Sequence, residues 1–180
     1  EDRDKIGKVA ELAFGYQGGV GALQNFASGQ MSALMDMIRE DLHQYLDLAI
    51  DNYERWGQEK ATVDETEWLA SESIKLAWRA RHPRIVQLWK DTEEAARKAI
   101  QRPGTTWSTG RLAFRAQSHA GFSYLLCRMP SGNYLVYFNP RCINDDLTYL
   151  GLDGEKKAWT VQSLYGGKIV ENVCQSFARD

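Results

Sequence analysis

The chain has 180 residues, 43% of them hydrophobic and 26% charged, with a formal net charge of −2. That is enough apolar material for one sizeable core or two lobes, and it excludes a disordered chain. It also excludes a general polycation, so any nucleic-acid surface has to be a local patch. No apolar run approaches the roughly 20 residues of a membrane span.

The opening stretch EDRDKIGK has no initiator Met and no signal-peptide core, and it reads as a cut inside a longer protein. Residues 3–27 predict a helix from Lys5 to Tyr16 that turns at Gly18, Gly19 and Gly21. Within it Lys8, Leu12 and Tyr16 stand four apart and share one stripe. Two accounts fit that stripe. Leu12 and Phe14 could be core, with Lys8 solvated and the glycines a helix stop; or the stripe is a binding surface. The glycines follow a helix and no strand precedes them, which excludes a dinucleotide-binding fingerprint, and GxxxxGK[ST] is absent.

The next helical pattern carries Leu34, Ile38, Leu42, Tyr45, Leu46, Ala49 and Tyr53 on one side. Asp36, Arg39, Glu40, Asp47 and Arg55 form a solvated opposite side. EKATVDETEWL offers two competing capping boxes, Thr62 with Glu65 and Asp64 with Glu67. A helix then runs through Trp68, Ile74, Ala77 and Trp78 until Pro83, which restricts His82 and starts a new helix. Ile85, Leu88, Trp89, Ala95, Ala96 and Ala99 form its apolar side, and QRPG at 101–104 closes it.

After Gly104 the pattern changes to strands. RLAFRA, FSYLLCRM and YLVYFNPRC are aromatic and branched, with PSGN at 130–133 as a turn. DLTYLGL and KAWTVQSLYGG extend an antiparallel sheet around a turn at Asp153-Gly154. GKIVENVCQSFARD returns to helix, with Ile169, Val170, Val173, Cys174 and Phe177 as its apolar stripe. Helices, a meander and a final helix make an α+β fold, divided into a helical region 1–104 and a strand-rich region 105–180. Cys127, Cys142 and Cys174 form no CxxC pair, and His43, His82 and His119 are scattered, so neither a disulfide framework nor a metal site follows. Among the local cations Arg79, Arg81, Arg84, Arg97, Lys98 and Arg102 read as solvated. Arg111 and Arg115 alternate along a strand face where they could meet phosphates.

RDKIGKVAELAFGYQGG resembles the nucleotide-binding helix of family A DNA polymerases of the bacteriophage type. AWRARHPRIVQLW, MPSGNYLVYFNPR and LYGGKIVENVCQSFARD resemble, in the same order, later fingers and palm elements of that family. The resemblance implies that the chain is an excised part of a polymerase domain, a helical fingers-like half followed by palm-associated strands and a palm helix. Lys8 would contact the triphosphate and act catalytically on the leaving pyrophosphate. Leu12 would lie near the nucleotide's sugar or base, and Tyr16 at the templating position. The family's Arg four residues before the Lys is Asp4 here, leaving Arg3 or Lys5 to support the phosphates. Gly18 and Gln175 would face DNA, with Gln175 reaching the primer–template minor groove.

The implied partners are primer–template DNA and deoxynucleoside triphosphates, with no membrane, in the cytoplasm of a bacterial host. The implied cofactor is Mg²⁺, held in the full-length parent by two Asp residues outside this chain. Asp145 and Asp146 read as a solvated turn. The isolated piece is then expected to be inactive as a polymerase. The alternative from another class is a non-catalytic α+β module that uses its aromatic residues to bind protein or nucleic acid.

Overall fold

The computed structural model describes residues 2–26 and 42–179, with side chains from Gly7 to Asn25 and from Leu42 onward. The expected helix positions Leu34 and Ile38, with Asp36, Arg39 and Glu40, lie outside the described residues, as do the side chains of Arg3 and Lys5. The chain forms two compact units, Glu1–Val86 and Gln87–Asp180. No helix among the described residues is long and apolar enough to cross a membrane.

The first unit contains α1 (Asp2–Phe14) and α2 (Val20–Phe26). A 3₁₀ turn at His43–Tyr45 leads into α3 (Leu46–Asn52), a π turn at Tyr53–Gly57 and the short α4 (Gln58–Lys60). Helix α5 (Glu65–Arg81) follows. Of the two candidate capping boxes the second one forms: Asp64 takes an extended backbone and its Oδ1 accepts from the Glu67 N–H at 3.1 Å. The core gathers Ala10, Ala13, Phe14, Val20 and Leu23 with Trp68, Ala70, Ile74 and Trp78, all buried.

The π turn has a packing reason. Tyr53 and Trp56 each bring a ring centroid 5.2 Å from that of Trp68. A Cβ on Gly57 would stand 2.8 Å from both Tyr53 and Trp68, so the extra residue of the wide turn directs a bare Cα at the two rings. Helix α5 also buries polar groups that its sequence places beside the apolar stripe. Ser71, Glu72 and Ser73 are fully buried and Lys75 nearly so. Glu72 pairs with Lys75 one turn on and accepts from Asn52 Nδ2 at 2.9 Å. The Lys75 ammonium lies 5.1 Å from the Trp56 ring centroid.

Helix α6 (Pro83–Gln101) begins at the proline that cannot donate and whose ring presets the helical φ, and from Gln87 on it belongs to the second unit. Six strands follow: β1 (Thr106–Thr109), β2 (Leu112–His119), β3 (Phe122–Arg128), β4 (Tyr134–Ile143), β5 (Asp146–Asp153) and β6 (Ala158–Ser163). They pair antiparallel in chain order, and α7 (Gly166–Phe177) closes the unit. Strand β1 was not expected: it is four residues long and Trp107 is its only apolar member. The PSGN turn forms as read, with Gly132 at φ +90° and its N–H on the Met129 carbonyl at 3.0 Å. At Asp153 the carboxylate accepts from the Glu155 and Lys156 N–H groups at 2.9 and 3.0 Å, an Asx turn.

One sheet face packs on both helices. Phe114, Ala116, Leu125, Cys127, Tyr137 and Leu147 meet Ala95, Ala96 and Ala99 of α6 and Ile169 and Val173 of α7. Three small residues on α6 let it sit close to the sheet. The expected apolar stripes are longer than the buried ones. Leu88, Cys174 and Phe177 are exposed; Leu88 and Cys174 each stand one residue, about 100° round the helix, from a buried neighbour, Trp89 and Val173.

Burial pushes the Cys127 thiol up to about 12 and the Tyr137 phenol up as well. The folded state therefore holds these protons where the unfolded chain releases them, the Cys127 thiol from a starting value of 9.0. Stability of this unit is expected to fall as pH rises from about 9 towards 12. Cys127→Val, which preserves volume, should flatten that fall in chemical-denaturation curves recorded between those pH values. At pH 8 iodoacetamide should label exposed Cys174 readily and leave Cys127 unmodified until the unit opens.

Candidate nucleotide and nucleic-acid contacts

Helix α1 is amphipathic at the level of single residues. Ala10, Ala13 and Phe14 turn inward, and the Phe14 ring lies 6.1 Å from that of Trp78 on α5. The outward side carries Lys8, Glu11 and Leu12. Leu12 is 63% exposed. Of the two accounts of the stripe, the one that makes Leu12 a core residue is therefore excluded, while Phe14 is core.

A polar lock sets this orientation. The Trp78 indole N–H donates to Glu11 Oε1 at 3.1 Å. The His82 ring stacks on Trp78 with centroids 4.3 Å apart, and its Nδ1 donates to the Trp78 carbonyl at 2.8 Å. Its Nε2 lies 3.7 Å from the same Glu11 oxygen. Rotation of α1 would break the Glu11 contacts with Trp78 and His82, so the face bearing Lys8 and Leu12 is held outward.

The helix closes at Phe14, two residues before the expected Tyr16. The Gly15 N–H still reaches the Glu11 carbonyl at 2.9 Å, but Gln17 bonds Phe14 at 3.1 Å and takes φ +68°. Tyr16 is thus carried by the turn rather than by the helix, and it is 39% exposed. Gly18 is needed where it stands: a Cβ there would lie 1.8 Å from the Ala13 carbonyl oxygen. Its own carbonyl accepts from Arg79 Nη2 at 3.2 Å, which ties the turn to α5. Burial lowers the Arg79 pKa from the ordinary guanidinium value.

In the second unit Arg111 lies in the β1–β2 turn and not on the strand, because β2 begins at Leu112 after Gly110 at φ +53°. Arg115 does stand on the outward side of β2, opposite Thr106 and Leu126. The cation that joins them is Arg128, which sequence reading passed over. It lies opposite Ala113, and it lines both a depression of about 280 Å³ with Arg115, Gln117 and Tyr134 and one of about 360 Å³ with Arg111. The signal was the period of two in β3, where Phe122, Tyr124, Leu126 and Arg128 share a side.

Other cations are engaged within the unit. Arg97 pairs with Glu93 at 2.7 Å and Glu94 at 3.0 Å, and Lys98 pairs with Glu94 at 3.3 Å. Gln175 is exposed on α7 and donates to Glu171 at 3.0 Å. Because α7 covers the inner face of the sheet, Gln175 and Arg115 do not share a surface. Asn172 donates to the Tyr137 hydroxyl at 3.1 Å, which fixes α7 on β4.

Asn144 and Asp145, at φ +49° and +68°, form the β4–β5 turn, and the Asp145 side chain is 89% exposed. Among the described residues no group of three or more His, Cys, Asp or Glu side chains is placed to hold a metal. Octahedral Mg²⁺ needs converging oxygens, which the described residues do not bring together.

No protein-family model and no solved structure matches the chain. Among curated proteins it is similar to the DNA polymerase of Bacillus phage SP02, with 35% identity over 180 residues, covering 97% of this chain and 22% of that polymerase. The chain therefore spans about a fifth of the length of the curated relative it matches.

Proposed function

We propose that the chain is the fingers and part of the palm of a template-directed DNA polymerase of the bacteriophage family A type, which adds deoxynucleotides to a primer 3′ end. The similarity to a phage DNA polymerase along nearly the whole chain carries this reading. The outward face of α1 and the glycine turn supply its physical basis. In this reading the Lys8 ammonium meets the triphosphate and the charge that develops on pyrophosphate, a task suited to a mobile point charge. Arg3 or Lys5 adds to the same field. Leu12 contacts the nucleotide's sugar or base. Tyr16, on a turn tethered through Gly18 and Arg79, offers a ring at the templating position.

Gly18, Arg111, Arg115 and Gln175 are the proposed DNA contacts, the arginines with backbone phosphates. The Mg²⁺ ions and their two Asp ligands belong in this reading to the rest of the parent polypeptide, which works in the cytoplasm of a bacterial host. The isolated chain then binds deoxynucleotides without polymerising them.

The test is a titration of the isotopically labelled chain with a deoxynucleoside triphosphate, followed by amide NMR shifts. Shifts should concentrate between Lys8 and Gly19. Lys8→Ala should weaken binding about tenfold or more, the loss of one charge-assisted contact. No template-dependent incorporation should accompany it. Unchanged binding in Lys8→Ala, or tighter binding of ATP than of deoxynucleotides, would overturn the reading.

A further inference from the structure

On the face of the sheet turned away from α6 and α7, apolar and cationic side chains stand together. Gln117, Tyr124, Phe138, Leu150 and Val161 form one cross-strand row from β2 to β6. Val161 in that row and Phe122, Tyr134, Val136, Leu152 and Trp159 around it are each more than half exposed. The rings are contiguous. Phe138 lies 5.4 Å from Phe122, 5.6 Å from Tyr124 and 6.0 Å from Trp159, centroid to centroid. A continuous exposed apolar surface of this kind marks a binding face.

The charges on the same face choose the occupant. Arg115 and Arg128 stand on it among the rings, with Arg111 at its rim and Arg141 opposite Thr148. No Asp or Glu takes an outward position on β1, β2, β3 or β4. None of these guanidinium groups has an ion-pair partner among the described residues, in contrast to Arg97 with its two glutamates. A second copy of the same face would set arginine against arginine. A ligand with flat, stackable groups on a polyanionic backbone satisfies both features, and this combination of aromatic platform and cationic groove is how sheets hold unpaired nucleic acid.

We infer that the outer face of the six-stranded sheet binds single-stranded DNA without sequence preference. Bases stack on Phe122, Tyr124, Phe138 and Trp159, and phosphates meet Arg115, Arg128 and Arg111. That the strand is DNA rests on the polymerase reading; the pattern of rings and cations stands without it. In such an enzyme the strand is unpaired template.

The test is fluorescence anisotropy of a labelled oligothymidylate with the 180-residue chain. Saturable binding is expected, equal for a mixed-sequence oligonucleotide and weaker for a duplex. The double variant Arg115→Ala/Arg128→Ala should reduce the slope of log K against log salt by about 1.4, about 0.7 for each lost phosphate contact on a single strand. Trp159→Ala and Phe122→Ala should weaken binding about tenfold with the slope unchanged. Both rings are exposed, and circular dichroism verifies that these variants fold.

Lys8→Ala separates the two proposals, since it should weaken deoxynucleotide binding and leave oligonucleotide binding intact. Absence of saturable binding at low salt, or an unchanged salt slope in the double variant, would overturn the inference. So would self-association of the chain that Trp159→Ala abolishes, which would make the face a protein interface. Tighter binding of oligouridylate would overturn the assignment to DNA.

Discussion

Glu72→Ala should destabilise the first unit by about 3–5 kcal/mol, the usual loss when one member of a buried ion pair is removed. Glu72 is completely buried and is both the ion-pair partner of the Lys75 ammonium and the acceptor for the Asn52 amide. Its removal leaves an ammonium with little solvent and an amide with a lost acceptor. The Trp56 ring beside Lys75 offers partial compensation. Replacing both partners, Glu72→Leu with Lys75→Met, should cost far less, because no orphaned charge remains. Urea unfolding followed by tryptophan fluorescence measures the difference.

The pH dependence provides an independent check. Burial lowers the Lys75 pKa from 10.5. Just below that value the unfolded chain holds the proton more firmly than the folded one, so this group's contribution to stability rises with pH. The penalty in Glu72→Ala should shrink over the same range. That trend is opposite in sign to the alkaline loss expected from Cys127 in the second unit. A penalty that stays flat up to pH 10.5 would contradict the assignment.

Gly166→Ala should cost the second unit about 3 kcal/mol. A Cβ on Gly166 would stand 1.9 Å from the Trp89 carbonyl oxygen and 2.5 Å from its carbon, both main-chain atoms of α6. No side chain can swing aside, so α7 must lift off α6. The Gly166 N–H, which donates to Glu93 Oε2 at 3.1 Å, would lose that acceptor. Ile169 and Val173 would leave the core at the same time. Alanine is otherwise the better helix former by about 1 kcal/mol, so a net loss isolates the clash. Gly154→Ala is the control, since no atom lies within 4 Å of its added Cβ. Thermal unfolding of the two variants should separate them clearly.

These two residues also show where reading a sequence stops. The meander was legible because alternation and turn chemistry are local: Gly132 and Asp153 do what their types dictate. Proline 83 divided two helices for the same reason. The inward direction of Glu72 and Lys75 was not legible, because on a helical wheel they read as ordinary charge beside Ser71 and Ser73. Their burial depends on Asn52 and Trp56, which arrive from a different helix and a wide turn. Gly166 read as the end of the last strand segment, whereas it opens α7 and its necessity comes from Trp89, far away in the chain. At the candidate site, the Lys8–Leu12 face was visible in the spacing. The end of α1 before Tyr16 was not, since it depends on Gln17 adopting a left-handed backbone that its residue type disfavours. Arg128 was hidden until strand register placed it beside Arg115.

The sheet's strand order has a kinetic consequence. Every pairing from β1 to β6 joins chain neighbours, so each closure spans only a short loop and little chain entropy is lost at any one step. The hairpins can form one after another as the polypeptide emerges, with α6 already synthesised to receive them. Assembly then waits only for α7, whose docking through Gly166 would be the late, cooperative event.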